Sequence, residues 1–107
     1  MKKILTIAAA LALTLSAFAQ QALGLARPGD VLVALSKSGD SADCVVAAEV
    51  MKAVGGGVVA FTGARDSRLS ALCDVTVRVP EMETYKVQEL HLPVYHALCA
   101  MLEEELF

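Results

Sequence analysis

The chain of 107 residues lacks three features, and the absence of each excludes a class of protein. It has no basic stripe interleaved with aromatic residues and its net charge is −3, which argues against a protein that binds nucleic acid. It has no Cys-x-x-Cys pair, and its two histidines are not placed to complete a zinc finger. Its longest apolar run, near the N-terminus, is too short for a comfortable membrane span, so we expect no membrane partner once any leader is removed.

The cysteine pattern does not indicate a disulfide framework. Cys44, Cys73 and Cys99 are odd in number and widely spaced. We therefore predict three buried small thiols in a reducing compartment, rather than a redox or metal site. The length suits one small domain, and the apolar fraction of 56% is high for a globular protein.

The first nineteen residues differ from the rest of the chain. Met1-Lys2-Lys3 precedes an apolar run, and Ala17-Phe18-Ala19 has the small-residue pattern of a signal-peptidase site. Residues 1–19 are therefore either a signal peptide, which would make the protein exported or periplasmic, or an apolar helical leader that packs on the domain. Unpaired cysteines are unusual in an exported protein, so the two lines of argument conflict. In both interpretations residues 20–107 form the folded domain.

Apolar periodicity along residues 20–107 alternates between strand and helix patterns. Val31–Leu35 has no polar alternation, so we predict a strand that is buried on both faces. Further strands are predicted at residues 58–61 and 74–79, and helices at residues 42–54, from Ser67, and at residues 82–106. This order predicts an α/β fold with three layers, in which a parallel sheet of about three strands is flanked by helices.

The predicted final helix carries an apolar stripe at helical spacing, which we expect to pack inward. Its members are Val87, Leu90, Val94, Ala97, Leu98, Met101, Leu102 and Leu106. Pro93 lies inside this pattern and should kink the helix or remove one of its hydrogen bonds.

The loop Ser36-Lys37-Ser38-Gly39-Asp40-Ser41 joins the first predicted strand to a predicted helix. Hydroxyl groups, unpaired backbone N–H groups and the positive end of the helix dipole meet in such a loop, and Ser41 or Asp40 can cap the helix. We predict that Ser36, Ser38 and Ser41 bind a phosphate group at the carboxyl edge of the sheet. A plain turn with a helix cap is the alternative interpretation.

Several segments of the chain resemble the sugar isomerase (SIS) domain, over roughly residues 22–105. In chain order they are Arg27-Pro28-Gly29-Asp30, Ser-x-Ser-Gly-x-Ser at residues 36–41, Thr62-Gly63, Ser67-x-Leu69 and Cys73-Asp74. Within that family, Gln88-Glu89-x-His91 followed by His96 resembles the phosphoheptose isomerase type.

The resemblance implies an isomerase that moves a proton between adjacent carbons of open-chain sedoheptulose 7-phosphate. It implies that the sugar phosphate is held by Ser36, Ser38 and Ser41, with Gln88 facing the active site. It assigns acid–base work to His96, and it makes Gln88 and His96 zinc ligands in those members that bind the metal. It also implies a cytoplasmic homotetramer with active sites between subunits.

Helix geometry is compatible with part of this assignment. Gln88 and His96 are eight residues apart, hence about 80° apart around a helix, so both could lie along one side of a pocket without being stacked directly. Two ligands do not make a zinc site, because zinc takes at least about three from the protein. We interpret His91 as a surface or interface residue. Glu89 either orients His96 or is an exposed helix residue with no specific role.

The N-terminal half of the family domain has no counterpart in this sequence. That half supplies a first strand, an Asn-Gly-Gly-Ser loop, a glutamate base and a further histidine ligand, so the chain resembles a partial domain. Three hypotheses remain: an isomerase that needs parts from elsewhere, a non-catalytic phosphosugar-binding or oligomerising fragment, and a small exported fragment. Because the missing strand should leave an apolar sheet edge, we also predict self-association through that edge and the final helix.

Overall fold

The computed structural model describes residues 17–107, which contain four helices and three strands. In chain order these are α1 (Ala17–Leu25), β1 (Val31–Leu35), α2 (Ala42–Val54), β2 (Gly57–Thr62), α3 (Arg68–Leu72), β3 (Val75–Arg78) and α4 (Thr84–Leu106). The predicted alternation of strands and helices is confirmed. The predicted leader, residues 1–19, lies outside the described residues except for its last three, which begin α1.

The three strands form one parallel sheet in the order β1-β2-β3. β1 pairs with β2 over its whole length and places Leu35 opposite Phe61, while β2 pairs with β3 and places Thr62 opposite Arg78. Helix α2 makes the first crossover and α3 the second, as parallel strands require. All three strands therefore end at one edge of the sheet, and the loops that follow them lie side by side.

Local sequence signals set the helix ends. Helix α2 ends at Gly55, whose φ of 92° is a left-handed conformation that glycine adopts without strain. Helix α3 begins with a capping box, in which the Ser70 N–H donates to the Ser67 Oγ and the Ser67 N–H donates to the Ser70 Oγ. These caps determine where the helices start and stop, and hence where the loops at the sheet edge lie.

One face of the sheet carries the hydrophobic core. Helices α2 and α3 pack there, and α1 packs against α2. The core residues are Ala34, Cys44, Val45, Ala48, Met51, Val58, Ala60 and Leu69. Alanines on both the sheet and α2 let the helix backbone approach closely, and the larger side chains fill the space that remains.

The prediction that β1 is buried on both faces is wrong. Val31, Val33 and Leu35 are 59%, 45% and 52% exposed, whereas Ala34 between them is buried in the core. Side chains alternate between the two faces of a strand, so one face of β1 packs on α2 while the other is open. Among residues 17–107 no element buries these three side chains, and the ring contacts that α4 makes with the sheet lie at Phe61 of β2.

The expected apolar stripe of α4 is present but is not packed inward. Of its members only Val87 is buried, whereas Met101 is 63% exposed and Leu106 is 68% exposed. The helix continues from Thr84 to Leu106 through Pro93, and its second half projects away from the sheet. No helix in the described part of the chain is long and apolar enough to cross a membrane.

The core placement predicts a large difference between two leucine truncations. Leu69→Ala removes a fully buried side chain and should lower the free energy of unfolding by about 2–5 kcal/mol. Leu25→Ala, at a position that is 77% exposed, should change it by less than about 0.5 kcal/mol. Urea unfolding followed by circular dichroism measures both changes, and similar losses in the two variants would contradict the assignment of the core.

Candidate functional site

The serine loop, residues 36–41, leaves the sheet at the end of β1 and is held mainly by its own hydrogen bonds. Ser36 is 8% exposed, and its N–H donates to the Phe61 carbonyl at 3.0 Å. The Ser36 Oγ accepts from the Gly39 N–H at 3.1 Å, and the Ser38 Oγ accepts from the Asp40 N–H at 3.1 Å. Each hydroxyl is used as an acceptor here, so each keeps its own hydrogen to donate to a ligand.

The predicted side-chain cap of α2 is absent. Ser41 is the N-cap residue, but its side chain makes no capping hydrogen bond. The Asp40 carboxylate accepts instead from the Arg68 N–H at 3.0 Å, at the start of α3. The N–H groups in the first turn of α2 are therefore not satisfied by either predicted cap, and they remain suited to an anion.

The Asp40 carboxylate pairs with Arg68, at the start of α3, and not with a group of the serine loop. Besides the Arg68 N–H, the Arg68 guanidinium lies 3.8 Å from the Asp40 Oδ1 and donates to the Asp40 carbonyl at 2.8 Å. Both side chains are more than half exposed, so the ion pair adds little stability. Its effect is local, because it directs the carboxylate toward α3 and offsets a negative charge next to the serine hydroxyls.

Two glycines allow the serine loop to lie against its neighbours. Gly39 has a φ of 71°, and a Cβ atom there would overlap the side chain of Ser67. The Gly39 carbonyl accepts from the Leu69 N–H at 2.9 Å, and the Gly63 N–H donates to the Lys37 carbonyl at 2.9 Å. The loop after β1 is thus fastened to the loop after β2 and to the first turn of α3.

A cavity of about 630 Å³ lies between the serine loop and the first half of α4. Its lining residues are Leu35, Ser36, Lys37, Tyr85, Gln88, Glu89, His91, Leu92 and Tyr95. It therefore brings together two of the predicted binding residues, Ser36 and Gln88. The Glu89 carboxylate also lines it, and with the Gln88 amide it can bind sugar hydroxyls, whereas the buried His91 imidazole is engaged by the Thr62 carbonyl.

The remaining predicted site residues lie outside this cavity. Ser38 lines a neighbouring cavity of about 160 Å³, together with Lys37 and Gly63. Ser41 and His96 line neither of the two cavities, and His96 is exposed with its ring edge-on to Tyr95 at 5.1 Å between centroids. In this chain by itself, the predicted acid–base histidine does not face the predicted phosphate loop.

The interpretation of His91 as a surface or interface residue is wrong. The side chain is 5% exposed, and its Nε2 lies 2.9 Å from the Thr62 carbonyl oxygen. Its ring is edge-on to Phe61, with 5.5 Å between the centroids. A signal was present in the sequence, because His91 follows Val87 by four residues and therefore shares the face of α4 that packs inward.

A third cavity, of about 560 Å³, runs along the open edge of β1. Its lining comes from α1, β1 and α2, and includes Phe18, Leu25, Val33 and Met51. The lining is mostly apolar and contains none of the residues predicted for the site, so this groove is separate from the candidate site.

The described residues do not provide a complete zinc site. Within residues 17–107, no three side chains among histidine, cysteine, aspartate and glutamate are grouped so that they could hold a metal ion. Gln88 and His96 offer two donors, one lining the cavity and the other exposed outside it. Because zinc takes more ligands than that from a protein, the two residues alone do not fit the metal.

The three cysteines differ in exposure, which corrects the expectation that all are buried. Cys44 is buried, Cys73 is half-buried and Cys99 is exposed, and all three are free thiols. Burial raises the pKa of Cys44, and a hydrogen bond from the Ser41 side chain offsets this only in part. Burial also raises the pKa of Cys73. Cys44 lies in the first turn of α2, yet it is not an activated nucleophile.

The SIS domain model matches residues 1–102 of the chain. The chain belongs to the SIS domain family. The resemblance carried by the serine loop and by the Gln88-to-His96 segment is therefore confirmed.

Relatives in the SIS family cover most of the chain but are themselves longer. The phosphoheptose isomerase of Rhodospirillum rubrum is 42% identical over 89 residues, which are 83% of this chain and 47% of that protein. The phosphoheptose isomerase of Nitratiruptor is 38% identical over 87 residues, which are 81% of this chain and 46% of that protein. The chain spans about half the length of the curated relatives it matches.

Solved structures agree with the fold. A phosphoheptose isomerase from Francisella tularensis matches with a TM-score of 0.77 and 30% identity, over 81% of this chain and 47% of that one. The enzyme from Neisseria gonorrhoeae matches with a TM-score of 0.77 and 34% identity, over 81% and 49%. An Escherichia coli protein in complex with a phosphosugar matches with a TM-score of 0.50 and 29% identity, over 59% and 35%. The prediction of a partial α/β domain is thus confirmed.

The close approach at Gly39 predicts an effect that a matched glycine should not show. Gly39→Ala and Gly29→Ala both place alanine at a positive φ, 71° and 90°, so both should lose about 1–2 kcal/mol of stability. Only at Gly39 does the new Cβ meet the Ser67 side chain, whereas nothing lies within 4 Å at Gly29. We expect Gly39→Ala to be clearly the less stable in thermal unfolding. Equal melting temperatures would contradict the described loop packing.

The thiol environments predict an order of reaction with iodoacetamide at mildly alkaline pH. Exposed Cys99 should be alkylated first and buried Cys44 last, as peptide mass spectrometry can measure.

The raised pKa of Cys44 also predicts how stability depends on pH. Since the pKa of folded Cys44 lies above its ordinary value of 9.0, the thiol loses its proton at lower pH in the unfolded chain than in the folded chain. The free energy of unfolding should therefore fall as pH rises above 9.0, and Cys44→Ala should weaken this fall. Early alkylation of Cys44 would refute its burial.

Proposed function

We propose that this SIS domain binds a sugar phosphate, with the phosphate at the serine loop and the sugar in the cavity that faces α4. The observation that carries the proposal is that Ser36 and Gln88, which are 52 residues apart in sequence, line one cavity. The related Escherichia coli protein, whose structure holds a phosphosugar, supports a ligand of this class.

The serine loop supplies donors suited to a phosphate group. The hydroxyls of Ser36 and Ser38 keep a hydrogen to donate, and the first turn of α2 adds N–H groups without a side-chain cap. Lys37 lies at the boundary of the two cavities and adds positive charge. Arg68 pairs with Asp40 and lowers the repulsion that this carboxylate would exert on an anion.

The cavity next to the loop suits the sugar part of the ligand. Its volume of about 630 Å³ lies in the range of about 300–1,000 Å³ common for small-molecule sites. The Gln88 amide and the Glu89 carboxylate can bind hydroxyl groups from one side, while Leu35 and Tyr95 contribute apolar surface. A phosphate at one end and polar groups along the wall would fix the direction in which the sugar lies.

The specific activity that we propose for the assembled site is aldose–ketose isomerisation of sedoheptulose 7-phosphate. His96 is proposed as the acid–base group and, with Gln88, as a zinc ligand. Because His96 is exposed outside the cavity, this role needs a further surface that closes over α4. The exposed apolar stripe of α4 is suited to packing against such a surface. We therefore propose a homo-oligomer in which another copy of the chain covers α4.

The alternative function is phosphosugar binding without catalysis. It is favoured by the position of His96, which is exposed outside the cavity that Gln88 lines. It is also favoured by the donor set of residues 17–107, which is incomplete for zinc. Both functions use the same serine loop and differ in whether a bound sugar is converted.

Loss of the three loop hydroxyls tests the binding proposal. The triple variant Ser36→Ala, Ser38→Ala and Ser41→Ala should bind sedoheptulose 7-phosphate at least about 100-fold more weakly, because several hydrogen bonds to a charged group are lost. Isothermal titration calorimetry measures the affinity. Thr76→Val removes one hydroxyl from β3, away from both cavities, and should leave the affinity unchanged.

Turnover separates the isomerase from the binding module. The unmodified chain is incubated with sedoheptulose 7-phosphate, with and without added zinc, and the sugar products are separated by chromatography. Appearance of the isomeric heptose phosphate supports catalysis. Binding without conversion supports the alternative, and absence of both binding and conversion would remove the proposed function.

A further inference from the structure

His91 is the only basic side chain that is buried among residues 17–107. Its Nε2 lies 2.9 Å from the carbonyl oxygen of Thr62, the last residue of β2. A carbonyl oxygen can only accept, so the imidazole carries its hydrogen on Nε2 and donates it. A buried donor of this kind is costly to leave unpaired, and this contact therefore resists separation of α4 from the sheet.

The Thr62 carbonyl joins three parts of the molecule. Besides His91, it accepts from the N–H of Val79, which follows β3, at 3.2 Å. Thr62 is fully buried, so water does not compete for its carbonyl. The bond from His91 therefore fixes α4 to the point where β2 and β3 both end.

The neighbouring residue of β2 holds the serine loop. The Phe61 carbonyl accepts from the Ser36 N–H at 3.0 Å, and the Phe61 ring meets the His91 ring edge-on. Two consecutive carbonyl groups of β2 thus hold the two walls of the cavity. The Phe61 carbonyl binds the serine loop, and the Thr62 carbonyl binds His91 of α4.

Helix α4 has little other attachment to the sheet. Val87 and His91 are its only buried residues, and its second half projects away. Gln88 precedes His91 by three residues and so lies on a neighbouring part of the same helix face, toward the cavity. A shift of α4 at His91 would therefore change the distance between Gln88 and the serine loop.

We propose that His91 is a positioning residue of the sugar-phosphate site: its hydrogen bond to the Thr62 carbonyl holds α4 where Gln88 and Ser36 can contact one ligand. This inference rests on the proposed function, because it names the residue that sets the width of the proposed site. His91 acts through the position of the helix and needs no contact with the ligand.

A pair of substitutions separates the hydrogen bond from the bulk of the ring. His91→Gln keeps an N–H donor that can reach the Thr62 carbonyl, whereas His91→Leu keeps an apolar side chain of similar volume without a donor. Calorimetry on the full chain with sedoheptulose 7-phosphate should show at least about tenfold weaker binding for His91→Leu. Binding by His91→Gln should remain within about threefold of the unmodified chain.

Nuclear magnetic resonance gives a readout that needs no ligand. In the unmodified chain, the imidazole of His91 should be the Nε2–H tautomer. The backbone amide signal of Ser36 and the side-chain amide signal of Gln88 should move in His91→Leu and stay in place in His91→Gln. A change of stability alone would not move these signals at a temperature where both variants are folded.

The outcomes distinguish this inference from the proposed function. If the unmodified chain binds the sugar phosphate and His91→Leu binds it equally well, the positioning role is refuted and the function stands. If the unmodified chain does not bind, the proposed function fails, and unmoved amide signals or an Nδ1–H tautomer would separately refute the role of His91. Should His91→Leu not fold, His91→Asn replaces it, because its shorter side chain does not reach the carbonyl.

Discussion

The hydrogen bond from the Ser36 N–H to the Phe61 carbonyl is the interaction on which the candidate site depends. It extends the pairing with β2 by one residue beyond the end of β1 and fixes where the serine loop leaves the sheet. The next carbonyl, that of Thr62, binds His91 of α4. The parallel register of two strands thereby sets both walls of a cavity whose residues are far apart in sequence.

The sheet is packed on one face and largely open on the other. On the packed face, small side chains of β1, β2 and α2 lie against each other, and the hydrophobic core is on this face. On the open face, Val31, Val33 and Leu35 of β1 are exposed among residues 17–107, and the second half of α4, which projects away from the sheet, also exposes its apolar side chains. The proposed ligand site lies at the carboxyl edge of the sheet, between the serine loop and α4.

Much of the fold could be predicted from local sequence. The strand Val31–Leu35 and the helix Ala42–Val54 were predicted with the bounds that the structure has, because glycine, proline and serine mark their ends. Burial was harder to predict. An apolar strand such as β1 has the same pattern whether one face or both are covered, since covering depends on elements elsewhere in the chain.

By itself, the sequence determined the order of elements, the serine loop at the end of a strand, and membership of the SIS family, since these depend on short-range patterns and shared motifs. Only the tertiary structure decided which histidine of α4 turns inward. His91 and His96 are five residues apart, so they point to different sides of the helix, and the docking of Val87 on the sheet selects His91. Docking is a long-range packing event, so the four-residue spacing of Val87 and His91 shows that they share a face, but only the fold shows that this face packs inward.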